Sequence, residues 1–509
     1  RKFEMCEPCR REYEDPLDRR FHAQPTCCPA CGPKVWLADR EGRVVECQDP
    51  ISEAARLLRE GRVVAIKGLG GFHLACDATN EAAVSELRRR KGREWKPFAV
   101  MVQDLDMARA VCQVDKASEE ILKSPRRPIV LLPKRGDDPL APSVAPGLSE
   151  HGIMLPYTPL HHLLLMEAGR PLVMTSGNLT DEPICKDNDE ALERLGGVAD
   201  FFLLHDRDIH QRCDDSVVKV FRGDVYPVRR SRGFVPHPVR LPFEAPSHLL
   251  AVGGHLKNTF CVVKRDMAFL SQHIGDLDDF RTLQFFREAV EHFLRLFSVE
   301  PKAVAHDMHP GYLSTKYALS LSGLDKIAVQ HHHAHIASCM AENGITGPVL
   351  GVAFDGTGYG TDGTSWGGEF LVATYEGFER AGHLLPAPLP GGEAAIREPW
   401  RMAISYALLS GEEGALEFPS LRQVPEGRLG AIVKLTEALL RQGPERRPAH
   451  FSSGVGRLFD AVSALCGLRL FAEYEGQAAM ELEAKIPGAL DISGEGYRFD
   501  VEERGGRLV

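Results

Sequence analysis

Leu172-Val173-Met174-Thr175-Ser176-Gly177-Asn178 is the stretch on which the fold is decided. Its apolar run predicts a buried strand, and the hydroxyls, glycine and amide that follow predict the turn that ends it. In α/β sheets ligands gather at the carboxyl ends of strands, where a Ser-Gly-Asn turn offers a hydroxyl, an amide and close backbone N–H groups. Outward from this point the pattern repeats. Val63-Val64-Ala65-Ile66 is a β-rich run ahead of Gly68, Gly70 and Gly71, Glu81 to Arg90 has helical texture, and Ile129-Val130-Leu131-Leu132 reads as another strand. Alternating strand and helix predicts an α/β domain over residues 48–240.

The helix from Glu81 ends in cations: Arg88-Arg89-Arg90-Lys91-Gly92-Arg93, then Lys96-Pro97-Phe98-Ala99. The plain reading is a solvated helix end, where positive charge complements the macrodipole. The functional reading is that Lys91, Arg93 and Lys96 converge on phosphate oxygens. The Ser176-Gly177-Asn178 turn adds weight to the second. Other polar groups follow: His205-Asp206-Arg207, Arg212, Asp214-Asp215-Ser216, and Arg229, Arg230 and Arg232.

Upstream, residues 1–36 are short, polar and cysteine-rich. Cys6-x2-Cys9 and Cys28-x2-Cys31 form two knuckles that can supply four thiolates to one tetrahedral structural zinc. Cys27 is a competitor, but only Cys28 has the two-residue gap to Cys31. A redox CxxC would need only one pair. Downstream, Pro236, Pro238, Pro242 and Pro246 predict a linker. A third region, 248–509, opens with Leu249-Leu250-Ala251-Val252 and Gly253-Gly254. Later, Val349 to Phe354, Asp355-Gly356-Thr357-Gly358 and Phe370-Leu371-Val372 predict strand, glycine turn and strand.

Composition bounds the function. The 509 residues carry a net charge of -10, with 43% hydrophobic and 26% charged side chains, which fits cored globular domains. That acidic balance argues against a general nucleic-acid binder, which shows a basic footprint. No apolar run approaches the ~18 residues that cross a bilayer, and no signal-peptide core follows Arg1. Thirteen mostly scattered cysteines predict reduced thiols plus a metal site, hence a cytoplasmic protein. The absence of an initiator Met, and an end in which Tyr497-Arg498-Phe499-Asp500-Val501 and Gly505-Gly506 read as half a hairpin, predict a fragment of a longer chain.

Val329-Gln330-His331-His332-His333-Ala334-His335 begins a predicted helix. His331 and His335 are four apart and share one face, and neutral imidazoles at that spacing suit a divalent metal. A polar helix face is the bland alternative. Asp355, at a strand end beside glycines, favours the metal, since such a carboxylate reaches a metal or Mg-nucleotide. Gly253-Gly254-His255-Leu256-Lys257-Asn258-Thr259 reads either as an ordinary hairpin turn or as a phosphate loop.

Arg90 to Ala99 together with Ser176-Gly177-Asn178 resembles the YrdC family, which forms carbamoyl-adenylates from ATP. Leu155-Pro156-Tyr157-Thr158-Pro159-Leu160-His161, Arg229-Arg230-Ser231-Arg232-Gly233-Phe234 and the cysteine spacing narrow the resemblance to the hydrogenase-maturation carbamoyltransferase (HypF) family, over essentially the whole chain. Region 248–509 resembles the TsaD family, which has an actin-like ATPase fold. Ser271-Gln272-His273-Ile274-Gly275-Asp276 and Gly454-Val455-Gly456-Arg457-Leu458-Phe459-Asp460 match it as well. The resemblance thus implies an α/β multidomain chain of zinc-finger-like module, YrdC-like domain and actin-like transfer domain, the last one truncated.

It also implies a chemistry. ATP, with Mg2+, and carbamoyl phosphate are the substrates, and carbamoyl-adenylate is the intermediate. The acceptor is the C-terminal cysteine of a partner, HypE, whose thiocarboxamide becomes the cyanide ligand of [NiFe]-hydrogenases. Lys91, Arg93, Ser176 and Asn178 would act in adenylation with Lys96 and Arg230 on the nucleotide. Gly253, Gly254, Lys257 and Asn258 would form a second nucleotide loop, and His331, His335 and Asp355 would hold a second divalent metal. The family's N-terminal acylphosphatase-like domain and an aspartate from near its C-terminus are not found in this sequence. Two rivals remain open. A tRNA threonylcarbamoyl-modifying enzyme shares both folds but predicts a basic surface and no cysteine cluster, and a non-enzymatic zinc scaffold predicts no ATP turnover.

Overall fold

The computed structural model describes residues 2–179, 182–412, 414, 416–486, 500–504 and 506–509. The chain divides into two compact units, Arg1–Ala145 with His151–Phe234, and Pro146–Glu150 with Val235–Val509.

The first unit is built on a mixed sheet whose centre runs Val64–Lys67, Phe72–Asp77, Leu172–Ser176 and Ala99–Met101. Every residue of the first two of these strands is buried, because helices cover both faces. Successive residues feed opposite cores: Ala65, Phe72, Leu74, Val100 and Val173 pack on one side, and Val64, Ile66, Ala75, Met101 and Met174 on the other. The predicted strand at Leu172 is therefore central, and its carboxyl end delivers Ser176 beside His73 of the neighbouring strand.

The helix Glu81–Lys91 is capped by the Asn80 side chain and ends at Gly92, whose φ of 62° is left-handed, the conformation glycine adopts without a Cβ penalty. Ala83, Val84 and Leu87 fix it to the sheet. The cysteine module adds a helix, Glu7–Glu14, and is tied down by Val35–Asp39, which pairs antiparallel with Phe201–His205 at the sheet edge.

In the second unit, one sheet runs Val239–Arg240, Met267–Leu270, Cys261–Lys264, Leu249–Ala251, Ala303–Asp307 and Asp325–Val329. The last three strands are parallel, and Phe285, Phe286 and Phe293 of the helix Phe280–Leu296 close its core on Phe260. The proline-rich stretch is not purely a linker. Between Pro238 and Pro242, Val239 and Arg240 pair with Ala268 and Met267, since residues between the prolines keep the N–H groups an edge strand requires.

The second sheet centres on Val349–Tyr359 and Ser365–Ala373. The glycine turn expected at Asp355-Gly356-Thr357-Gly358 is absent. The strand runs on to Tyr359 with its register shifted between Phe354 and Gly358, and the reversal falls later, where Gly360 N–H donates to the Thr364 carbonyl. A bulge uses glycine's freedom as readily as a turn does, and it re-aims the residues it contains. Of the expected half-hairpin at the end, residues 497–499 and 505 lie outside the described residues, while Glu503–Arg504 pairs antiparallel with Arg507–Leu508. No helix among the described residues is long and apolar enough to cross a membrane.

Candidate functional site

Three clusters carry chemistry, and the first is the cysteine module. Cys6, Cys9, Cys28 and Cys31 present sulfurs that all lie within 4.8 Å of one another. Cys28 Sγ is 3.5 Å from Cys6 Sγ and 3.8 Å from Cys31 Sγ, close to the ~3.8 Å edge of a tetrahedron with zinc–sulfur bonds of about 2.3 Å. Backbone N–H groups, foremost that of Cys6, pull the Cys31 thiol down to about 6, and those of Ala30 and Cys31 lower Cys28. Donors aimed at sulfur favour the metal-binding thiolate at Cys28 and Cys31, whereas burial raises Cys9 and Cys6 is raised on balance, the backbone N–H of Cys9 being outweighed by the Cys28 thiol and burial. The four-sulfur set fits a structural zinc. Cys27 is exposed, and no metal-holding group of three or more ligands among the described residues includes it.

The second cluster sits at the end of the strand Leu172–Ser176. Lys91 is only 4% exposed, which rules out the solvated reading for this residue, while the Arg89 side chain stays in solvent. Its Nζ donates to the Ser176 carbonyl (2.7 Å), the Asn178 carbonyl (2.5 Å) and Asn178 Oδ1 (2.8 Å). Burial, with Arg93 close by, holds Lys91 well below the ordinary lysine range. Ser176 Oγ donates to Asn178 Oδ1 at 2.8 Å. Arg93 reaches Thr175 Oγ1 at 3.3 Å and the Pro97 carbonyl at 2.7 Å. Gly177 is obligatory, since a Cβ there would lie 2.7 Å from the Phe72 carbonyl oxygen. Lys91, Arg93, Ser176 and Asn178 are thus one constellation, while Lys96 is exposed and its carbonyl accepts from Arg88 and Arg93.

Arg230 is half-buried just after the strand Asp224–Arg229. Its neighbour Arg232 lies 2.8 Å from Asp215 Oδ1 and 3.4 Å over the Tyr157 ring. Asp215 in turn lies 2.9 Å from His73 Nε2. Burial opposes that carboxylate's charge, but Arg232 and His73 outweigh it and hold Asp215 well below the usual range. This Arg–Asp–His chain was not legible in sequence, because its members come from three separate segments.

The third cluster lies in the second unit. His331 opens the helix His331–Glu342, whose N-cap Gln330 accepts from His333 N–H. His331, His335 and Asp355 present ligand atoms within 4.8 Å of one another, with His331 Nε2 3.4 Å and His335 Nε2 3.8 Å from Asp355 Oδ2. Asp355 arrives from the bulge, and a Cβ on the nearby Gly358 would lie 2.5 Å from His332 Cε1. His331 Nδ1 is 2.7 Å from Asp307 Oδ2. Burial works against a charge on His331, but Asp307 and Asp355 outweigh it and raise it to about 9.

Asp307 is a site residue the sequence reading missed. Its only signal was a carboxylate closing the run Ala303-Val304-Ala305-His306-Asp307. Of the run's other histidines, His333 faces elsewhere, its Nε2 meeting the Thr374 carbonyl at 2.7 Å, while His332 is fully buried with Nδ1 3.2 Å from the Gln330 amide and Nε2 3.7 Å from Asp355 Oδ2. Two imidazoles and a carboxylate suit a divalent metal and leave coordination positions open.

The glycine loop of this unit lies beside the cluster. A Cβ on Gly254 would be 3.6 Å from His331 Cε1, and Gly253, with φ of 70°, could not carry one, its Cβ falling 2.0 Å from the Thr259 carbonyl oxygen. Asn258 spends its amide on the Val252 and Gly254 carbonyls, bracing the loop. Lys257 Nζ is exposed and pairs with Glu475 at 2.9 Å.

A cysteine finger, an α/β unit with a Lys–Ser–Asn turn, and a unit with a His–His–Asp cluster define a class: a finger joined to YrdC-like and Kae1-like domains. Family models match in that order, the HypF finger over residues 5–38, the YrdC-type model described as telomere recombination over 56–231, the HypF Kae1-like domain over 244–342, and the carbamoyltransferase Kae1-like second subdomain over 351–508. The carbamoyltransferase HypF of Rhodobacter capsulatus is 47% identical over 492 residues, 95% of this chain and 64% of that one. The HypF of Rhizobium leguminosarum is 45% identical over 537 residues, 97% and 69% of the two chains. A crystal structure of full-length HypF in a phosphate- and nucleotide-bound form superposes with a TM-score of 0.91 at 48% identity, covering 99% of this chain and 64% of that one. The chain belongs to the HypF family of carbamoyltransferases, and spans about two thirds of the length of these relatives.

Proposed function

We propose that this chain carries the ATP-dependent steps of carbamoyl transfer in [NiFe]-hydrogenase maturation, in the cytoplasm. In the first unit, an oxygen of carbamate, formed together with inorganic phosphate by prior hydrolysis of carbamoyl phosphate with water, attacks the α-phosphorus of Mg-ATP. Pyrophosphate leaves and carbamoyl-adenylate forms. Lys91, Arg93, Ser176 and Asn178 position the reactants and offset phosphate charge, with Lys96 and Arg230 towards the nucleotide. In-line displacement at phosphorus is governed by such positioning and charge neutralisation.

In the second unit, the sulfur of the C-terminal cysteine of HypE attacks the carbonyl carbon. The thiol proton is lost, AMP leaves with the bonding pair, and a thiocarboxamide results. Gly253, Gly254, Lys257 and Asn258 cradle the nucleotide. His331, His335 and Asp355 hold a divalent metal, which when bound supplies Lewis-acid charge for the adenylate. The observation that carries the reading is that the two constellations, 240 residues apart (331 - 91), belong to different compact units, each with its own glycine-built turn.

Family membership and the cysteine finger favour this reading over the tRNA-modifying one. The test uses full-length protein. Lys91→Ala or Ser176→Ala abolishes carbamoyl-dependent ATP–pyrophosphate exchange by about a hundredfold or more, the loss expected for an electrostatic contact in a closed site. His331→Ala keeps exchange and fails to carbamoylate a HypE C-terminal peptide. The reverse pattern, or equal loss in both assays, sinks the proposal, and absence of any exchange in the wild type returns the scaffold reading.

A further inference from the structure

The geometry points to His332 as the positioning residue of the Asp355 carboxylate: its Nε2–H donates to Asp355 Oδ2 when the cluster holds its cation, and the ring itself is not a ligand. His332 is fully buried, and its Nε2 has no hydrogen-bond partner among the described residues. A buried N–H left unpaired is costly. Asp355 Oδ2 stands 3.7 Å from it, which is beyond hydrogen-bond reach, so a small closing movement makes the contact. On the carboxylate side, Asp355 Oδ1 accepts from the Gly356 N–H at 2.6 Å. Oδ2 is left to the imidazoles, with His331 Nε2 at 3.4 Å and His335 Nε2 at 3.8 Å. Glycine permits the approach, since a Cβ on Gly358 would lie 2.5 Å from His332 Cε1.

The tautomer of His332 follows from Gln330, and the orientation of Gln330 from the helix cap. Gln330 Oε1 accepts from the His333 N–H at 3.0 Å, which decides which end of the amide is oxygen. Its nitrogen then faces the Tyr359 carbonyl at 3.1 Å and His332 Nδ1 at 3.2 Å. An amide NH2 only donates, so Nδ1 accepts and the proton of the neutral ring sits on Nε2. A protonated Nε2 has no lone pair for a metal. His331 differs, because its Nδ1 meets the Asp307 carboxylate instead. A hydrogen bond to a ligating carboxylate holds it in one orientation, and loss of such a partner costs about ten- to a hundredfold in metal affinity.

The proposal deepens the transfer-site reading and rests on it for the metal. It is tested on full-length protein that keeps its finger zinc, with Mn2+ as the probe, an ion suited to carboxylate rather than thiolate ligands. Electron paramagnetic resonance follows the free ion during titration. His332→Phe keeps the bulk of the ring and removes the donor, and it weakens Mn2+ binding by about tenfold or more. His332→Gln loses the ring but keeps a side-chain N–H, and it binds more tightly than His332→Phe. A role in packing alone reverses that order. Wild-type affinity in His332→Phe, or tighter binding by His332→Phe than by His332→Gln, overturns the proposal. If His332→Phe does not fold, NMR of nitrogen-labelled histidines in the wild type, with Zn2+ at the cluster, decides. The His332 signals are assigned by their loss in His332→Gln. A protonated Nε2 free of metal upholds the proposal, and a bare or zinc-bound Nε2 overturns it. No Mn2+ bound by the wild type, or wild-type affinity in His335→Ala, sinks the metal reading and this proposal with it. Weak binding by His335→Ala beside unchanged binding by His332→Phe sinks the proposal alone.

Discussion

Asp307 Oδ2 lies 2.7 Å from His331 Nδ1, and it arrives from the end of the strand Ala303–Asp307 rather than from the histidine helix. A carboxylate on the far nitrogen orients the ring, leaves Nε2 for a metal and raises the basicity of the ligand. Asp307→Ala is expected to weaken metal binding at the His cluster by about ten- to a hundredfold, read by competitive titration with a chelating dye. Unchanged affinity would reduce Asp307 to a structural neighbour.

The cysteine module makes a prediction about ligand choice. Cys28→Ser removes the zinc, because Cys28 Sγ contacts the sulfurs of both Cys6 and Cys31. Cys27→Ser leaves it in place. Elemental analysis of the two purified variants separates them, and zinc retained in Cys28→Ser but lost in Cys27→Ser would reverse the assignment.

Gly358 sets the approach of the bulged strand to the histidines. Gly358→Ala places a Cβ 2.5 Å from His332 Cε1 and 3.0 Å from His331 Cδ2, which forces the helix or the strand to shift. Metal content at the His cluster should fall while the cysteine zinc stays. Gly377→Ala, where a Cβ would have nothing within 4 Å, is the control. Two metals per chain in Gly358→Ala would contradict this account.

Asp460 makes a prediction in pH. Burial raises its folded-state value to about 6, above an unfolded value of about 3.9, so the folded state holds the extra proton. Stability from this group is fully present below the unfolded value and is lost as pH rises through about 6. Asp460→Asn should therefore stabilise the protein at pH 8, by at most about 2 to 3 kcal/mol, and should lose that advantage near pH 4. Thermal unfolding of both proteins across this range checks it. A difference that does not vary with pH would mean the carboxyl titrates normally.

Local patterns were legible because their information is local. Two CxxC pairs already carry the geometry of a tetrahedral site. His331 and His335 share a face through helical periodicity alone, and an apolar run ending in Thr-Ser-Gly-Asn declares a central strand and its turn. The same locality misled at Asp355-Gly356-Thr357-Gly358, where glycines read as a turn and built a bulge. It also misled in the proline stretch, where two residues with free N–H groups became an edge strand.

By itself, the sequence determined the finger's four sulfurs, the α/β character of the first unit, the helix bearing His331 and His335, and the identity of the Lys91, Ser176 and Asn178 constellation. Only the tertiary structure decided that Lys91 is buried on the Ser176 turn, that Asp307 orients His331, that Arg232 holds Asp215 against His73, and that Arg457 lies over Gly356. Periodicity fixes which residues share one face of one element. Which faces meet depends on register and on close approaches that glycine permits, and those are properties of packed volume rather than of spacing along the chain.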